Sequence, residues 1–340
     1  MYFNTNENTA PYLISVITPV YNAGKFIADR LNRLLGMELN GVEIVIVDDG
    51  SGDNSLTLCH NAVDGKNDVL LISQPHSGLS EARNTGIHAA SGEYIMFLDC
   101  DDILLEEGFS EVKRRLLRYA PDILMGKFIL LLENGGILRP KYAFPRLDSA
   151  EESIGFIYGS VPDTIWNVWR YVCRREFLVR NNLLFARGLL CEDLEWTPRA
   201  LRAANHIEFC DEPFYGYYYN MYGSITRIAS AKRALDTNRI VVENARLYSG
   251  EPYAEMLYNR LAREMFYSVS RYLLCDADER AEFVLLVNQS MTYFNGCDFF
   301  PVRLFANLRA VIPFAVWSFA VNAAKSLYNP VKASLGPMRL

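Results

Sequence analysis

The chain reads as an α/β protein built on a mostly parallel sheet. Three observations carry that reading. The apolar, β-branched runs LISVITPV, VEIVIV, VLLIS and EYIMFL recur through the first hundred residues without polar alternation, as strands covered on both faces require. Stretches with helical spacing separate them. Polar loops follow three of the runs, at the carboxyl ends of the strands, where open α/β sheets bind ligands.

Taken in order, LISVITPV predicts the first strand. KFIADRLNRLL places Phe26, Ile27, Leu31, Leu34 and Leu35 on one helical face. VEIVIV is a second strand and ends in the loop DDGSGDNS. VLLIS is a third, SGLSEARNTGIHAA a helix, EYIMFL a fourth strand and DILMGKFILL a fifth. Strand and helix alternating at this pace predict a parallel sheet. From 156 to 222 the chain is aromatic-rich and irregular, and beyond that mostly helical. The expected division is 12–225 as one domain, with halves 12–130 and 131–225, followed by a helical region 226–340.

Composition narrows the class. The chain has 340 residues, 50% hydrophobic and 22% charged, with a net charge of −6. That is neither a disordered nor a polytopic membrane composition, and an acidic balance argues against nucleic acid as a partner. Seven cysteines without a CxxC pair read as reduced thiols. MYFNTNENTAPY lacks the basic and apolar regions of a signal peptide, so a cytoplasmic location is expected. Charge is uneven: residues 301–340 hold Arg303, Arg309, Lys325, Lys332 and Arg339 and no acid, leaving −11 on residues 1–300.

The loops carry the chemistry. Asp99 and Asp101 lie two apart at a strand end, so both carboxylates can face one side. Such a pair repels unless a cation relieves it, and hard oxygen ligands suit Mg²⁺ or Mn²⁺. Asp102 could join them or cap the next helix. Arg83 lies four residues from Leu79 and from Ile87, within an apolar stripe, and needs an anionic partner there. In DDGS, one of Asp48 and Asp49 could fix the turn at Gly50 while the other faces the cleft and accepts the N–H of a base such as uracil; taken alone, the motif reads equally as an Asx-type turn with no ligand. Glu192 and Asp193 open a predicted helix running to Ala203, where acids are favoured by the helix dipole or could serve as a general base. Dinucleotide-binding GxGxxG, phosphate-loop and GxSxG motifs are absent, and the four histidines lack the spacing of a common zinc motif.

Together, SVITPVYNAGKFI, IVDDGSGD, SGLSEARNTGIHAASGEYIMFLDCDD and WNVWRYVCRREFLVRNNLLFARGLLCEDLEW resemble glycosyltransferase family 2, with its GT-A fold. The resemblance covers roughly residues 13 to 230. It implies a nucleotide-sugar donor, with UDP as the expected nucleotide, a divalent cation, Mn²⁺ or Mg²⁺, and an inverting transfer to a glycan or lipid-linked acceptor in surface or capsular polysaccharide synthesis. By position it implies Pro19 and Tyr21 beside the base and ribose, Asp49 on the base edge, Gly78 and Arg83 near the donor, Asp99 towards ribose or sugar, Asp101 on the metal and Asp193 as catalytic base. Ser224 and Arg227 would contact phosphate. His76 and Cys100 depart from the usual pattern, His76 standing where Asn is frequent.

Two other readings compete. One is a non-catalytic sugar-nucleotide-binding or scaffolding subunit, against which retention of Asp101 and Asp193 argues. The other is a nucleotidyltransferase, whose Gly- and Lys/Arg-rich phosphate loop is missing. The basic tail has two readings as well. With Phe305, Phe314, Trp317, Phe319 and Tyr328 among aliphatics, residues 301–340 suit a segment lying on an anionic membrane face, which would place the enzyme peripherally on the inner face of the cell membrane. Alternatively, they form a helical pair that packs its apolar face on the body.

Overall fold

The computed structural model describes residues 11–161, 165–219 and 230–327. The chain divides into two units. The first comprises the chain up to Leu131 with Val168–Phe185 and His206–Tyr218; the second comprises Leu132–Asn167, Ala186–Asn205 and the chain from Tyr219 onward.

The first unit is the expected α/β sheet flanked by helices. Its strands are β1 (Ile14–Val20), β2 (Val42–Asp48), β3 (Val69–Ser73), β4 (Tyr94–Phe97), β5 (Ile103–Leu104) and β6 (Ile123–Leu131). β7 (Ile137–Leu138) belongs to the second unit, and β8 (Tyr171–Arg174) and β9 (Ile207–Tyr218) return to the first. The order across the sheet is β3-β2-β1-β4-β8-β6-β9-β5. β1 runs parallel to β2, with Ile14 opposite Val42 and Ile17 opposite Val45, and parallel to β4, with Ile14 opposite Tyr94. β2 is parallel to β3. Every residue of β1 and β2 is buried, as their mainly apolar runs require, and the buried Ser15 hydroxyl donates to Glu43. A fully buried Ile17 contributes on the order of 2–3 kcal/mol by apolar burial.

The helices of this unit are α1 (Ile27–Leu35), α2 (Ser55–Val63), α3 (Leu79–Ala89), α4 (Glu106–Tyr119) and, after α5 of the second unit, α6 (Arg175–Arg180). α1 buries Ile27, Leu31 and Leu34, the stripe legible in its spacing. α3 sits so close to β1 that a Cβ on Gly86 would lie 2.3 Å from Ile17 Cγ2. Since β1, β2 and β4 are parallel and in register, their carboxyl ends open on the same edge, and the three polar loops meet there.

β8 and β9 depart from the irregular reading of 156–222. β8 pairs antiparallel with β4 and β6, and β9 pairs parallel with β6. YVCR is too short for a periodic signal, and β9 carries Asp211, Glu212 and Pro213 in mid-strand, which hides its continuity.

The second unit is mainly helical: α5 (Ala150–Ser160), α7 (Glu192–Ala203), α8 (Ala231–Leu247), α9 (Ala254–Ser268), α10 (Ala277–Met291), α11 (Phe300–Leu308) and α12 (Phe314–Leu327). α10 begins in a capping box between Asp276 and Glu279. The described part of the basic tail is α11 and α12, and it packs within this unit. Val302, Phe305, Trp317 and Val321 are buried, the Phe305 and Trp317 rings meet edge to face at 5.1 Å, and Ser318 Oγ and Asn322 Nδ2 donate to the Ser270 carbonyl. Phe300, Val311, Val316 and Phe319 are exposed. Among the described residues no helix is long and apolar enough to cross a membrane.

Candidate active site

The loops after β1 and β2 are locked to one another. Asp49 N–H donates to the Val20 carbonyl at 2.8 Å. Asn22, at φ +49°, accepts from Gly52 N–H at 2.8 Å, and its own N–H donates to Ser51 Oγ at 3.0 Å. Gly50, at φ +70°, allows the following loop to approach: a Cβ there would stand 2.7 Å from His76 N.

Asp49 is the hub of this corner. Its side chain is nearly buried. Oδ1 accepts from Gln74 Nε2 at 2.7 Å and Ser77 N–H at 2.9 Å. Oδ2 accepts from Gly78 N–H at 2.8 Å and lies 2.8 Å from His76 Nδ1. The carboxylate thus shapes residues 74–78 into a cradle at the start of α3. Gly78 holds φ +91° with ψ 166°, a backbone state open essentially to glycine. Tyr21 stands at the rim of this corner, 44% exposed, and its ring stacks on His76. Pro19 is within β1, opposite Val47.

After β4 the chain turns at Asp99–Asp102, with Asp102 N–H donating to the Asp99 carbonyl at 3.0 Å. Arg83, buried on α3, finds its anion here: Nη2 lies 3.0 Å from Asp99 Oδ1. The guanidinium also lies near the Phe97 and Phe185 rings. Asp101 is pushed up to about 6, first by burial and then by the neighbouring charge of Asp99, with Arg30 opposing. Burial likewise pushes Asp102 well above the usual carboxylate range, with the charges of Asp101 and Asp99 adding to it. Asp102 does not cap α4, whose N-cap is Leu105. Its Oδ2 accepts from the Tyr215 hydroxyl at 2.7 Å and its Oδ1 from Tyr218 N–H at 2.8 Å. Arg30 closes the turn from the α1 side, donating from Nε to the Asp101 carbonyl at 3.1 Å while its guanidinium lies 4.0 Å from the Tyr218 ring centre.

This arrangement gathers Tyr21, Asp49, Gly78, Arg83, Asp99, Asp101 and Asp102 on one edge of the first unit. Glu192 and Asp193 form the first turn of α7 in the second unit, both half-buried. Asp193 Oδ1 accepts the Leu194 N–H at 2.9 Å. That turn is anchored by Asn244 Nδ2, which donates to the Leu194 carbonyl at 3.2 Å, and by Thr197 Oγ1 on the Trp166 carbonyl at 2.7 Å. Ser224 and Arg227 lie outside the described residues. Sequence reasoning missed Gln74, Arg30 and Tyr215. Arg30 sits among charged residues of an ordinary amphipathic helix and Tyr215 inside an aromatic run, so neither carries a local signal.

Residues 15–172 match the family described as Glycosyl transferase family 2. This stretch is a glycosyltransferase family 2 domain. Similar relatives include "Uncharacterized glycosyltransferase EpsJ" of Bacillus subtilis, 33% identical over 64% of this chain and 63% of that protein. Another is "Uncharacterized glycosyltransferase YibD" of Escherichia coli, 28% identical over 90% of this chain and 91% of that one. The chain therefore spans somewhat under two thirds of EpsJ and nearly all of YibD. Among solved structures, S. aureus TarS 1–349 in complex with UDP-GlcNAc superposes with a TM-score of 0.63 at 17% identity, covering 92% of each chain. The mannosyltransferase PcManGT of Pyrobaculum calidifontis, in complex with GDP-Man and Mn²⁺, has a TM-score of 0.51 at 13% identity and covers 96% of this chain and 91% of that one. These two likenesses establish a shared GT-A-like fold.

Proposed function

We propose that this family 2 protein transfers a sugar, with inversion, from a uridine-diphosphate donor to a hydroxyl of a glycan or lipid-linked acceptor in surface polysaccharide synthesis. The observation that carries the reading is the single edge on which the Asp49 cradle, the Arg83–Asp99 pair and the buried Asp101 turn lie together. The stacked rim ring and the buried carboxylate suit a nucleobase. Asp99, held by Arg83, and Asp101 suit the sugar-phosphate side. Relatives named as glycosyltransferases, and solved neighbours holding UDP-GlcNAc or GDP-Man, support the donor class.

A divalent cation fits this turn. Among the described residues no group of three or more His, Cys, Asp or Glu could hold a metal ion by itself. Mg²⁺ and Mn²⁺ commonly take one or two carboxylates and complete their shell with water and substrate phosphates. Asp101, with Asp99 beside it, would supply those carboxylates, and the burial that raises Asp101 describes an anion wanting a positive partner. When bound, such a cation stabilises charge developing on the leaving diphosphate.

Asp193 is the proposed general base. It would take the proton of the acceptor hydroxyl as that oxygen bonds to the anomeric carbon and the bond from that carbon to the diphosphate oxygen breaks. The donor reading is tested by thermal shift against UDP-, GDP- and dTDP-sugars with and without Mn²⁺. A metal-dependent rise confined to the uridine compounds is expected; no shift with any nucleotide overturns it.

Contact with an anionic bilayer is proposed for the tail. Phe300, Val311, Val316 and Phe319 are exposed on α11, α12 and their connection, Arg303 and Arg309 lie in the same stretch, and 301–340 contains no acid. A lipid-linked acceptor would give such contact a purpose.

A further inference from the structure

His76 makes both contacts expected of a nucleobase. Its imidazole stacks on Tyr21, with ring centres 4.2 Å apart and planes 18° apart. Its Nδ1 reaches Asp49 Oδ2 at 2.8 Å and lies 3.2 Å from the Asp49 carbonyl oxygen. A uracil held at this corner would likewise lay its ring on Tyr21 and point an N–H at Asp49.

The carboxylate has no second place for that N–H. Each oxygen offers about two acceptor sites. Gln74 and Ser77 fill Oδ1, while Gly78 and His76 fill Oδ2. The Ser77 and Gly78 donors are backbone amides built into the cradle, and Gln74 is itself tied to Thr85 Oγ1 at 2.6 Å. His76 differs. Its side chain is 54% exposed, against 3% for Asp49, so it can turn into solvent while the rest of the cradle stays.

We infer that His76 is a placeholder for the nucleobase: it occupies the base position between Tyr21 and Asp49 in the free protein and must leave for a uridine nucleotide to bind. The inference rests on the donor reading above, which puts the base at Tyr21 and Asp49. Displacement subtracts from nucleotide affinity, because the cost of breaking the stack and the ring-nitrogen contact is part of every binding event.

The test is calorimetric titration with UDP and Mg²⁺ for the wild-type protein and His76→Ala under the same buffer conditions. Tighter binding by the variant is expected, by roughly tenfold. Equal affinities, or weaker binding by the variant, overturn the placeholder. The wild-type protein offers a second measurement that does not depend on the variant folding. On saturation with UDP the His76 ring-proton resonances should lose the ring-current shift imposed by Tyr21; resonances that stay in place overturn the inference. If neither protein binds UDP while both remain folded, the donor reading itself fails, and the inference falls with it.

Discussion

The Tyr215 hydroxyl donates to Asp102 Oδ2 at 2.7 Å and accepts the Asp99 N–H at 3.2 Å. One buried phenol on β9 thereby fixes two positions of the acidic turn after β4. The ring is itself clamped, stacking on Trp169 with centres 4.3 Å apart and planes 10° apart. Asp102 is consumed by this bracing, since its other oxygen accepts from Tyr218. In the proposed site Asp102 is thus a positioning residue, and Asp99 and Asp101 are the carboxylates proposed to meet the donor.

Tyr215→Phe keeps the stack and removes the bridge. Leaving buried polar groups without a partner costs about 1–3 kcal/mol, so the melting temperature should fall by several degrees. The apparent affinity for the donor with Mg²⁺ should weaken as well, because the turn carrying Asp99 and Asp101 loses its brace. A variant with wild-type melting and wild-type metal response would show that the bridge is incidental.

Asp101→Asn separates fold from function. The native carboxyl is pushed up to about 6 by burial and by Asp99, so its charge is unfavourable in the metal-free protein and asparagine relieves it. The metal-free variant should melt at or above the wild-type temperature, yet transfer no sugar and gain no stability from donor plus Mn²⁺. Wild-type turnover at equal metal concentration would remove Asp101 from the proposed metal site. Chelation of the wild-type protein should reproduce the same loss, and added Mn²⁺ should restore it.

Asp193→Asn should fold and bind donor normally while transferring at least ~100-fold more slowly, the scale of general-base loss. Asparagine keeps the acceptor oxygen for the Leu194 N–H, so the first turn of α7 is preserved. A sharp fall in melting temperature with loss of donor binding would instead make the residue structural. Normal turnover would move the base role to Glu192.

Charge reversal tests the tail. Val302, Phe305, Trp317 and Val321 pack inward, so truncation at 301 would expose a core and confuse the result. Replacing Phe319, 69% exposed, together with Arg303 and Arg309, by Glu leaves that packing in place. The wild-type protein should float with vesicles containing phosphatidylglycerol and the triple variant should not. Equal flotation of both, or of neither, refutes membrane contact through these residues.

Much of the fold was readable because β1, β2 and β4 lie inside a two-sided sheet. Residues buried on both faces are mostly apolar, so the strands announce themselves as apolar-rich runs without polar alternation. Parallel neighbours need helices between them, and these carry a stripe such as Ile27, Leu31 and Leu34. β8 and β9 were not readable for the converse reason. Four residues hold no period, and the acidic stretch Asp211–Glu212 looks like a loop until β6 is seen beside it.

What the sequence by itself determined is the kind of chemistry: which loops end which strands, and that Asp49, Asp99 and Asp101 fall there, since local order along the chain settles both. Tertiary structure decided which partners each carboxylate has. Asp48 and Asp49 are indistinguishable as letters, yet Asp49 draws donors from residues 74–78, more than twenty positions away. Asp102 looks like a third ligand beside Asp101, yet Tyr215 and Tyr218, more than a hundred residues on, take up both its oxygens. A side chain's role depends on the partners that desolvate and hydrogen-bond it. Those partners are set by sheet pairing and helix packing, which join distant segments and leave no trace in the spacing of neighbouring residues.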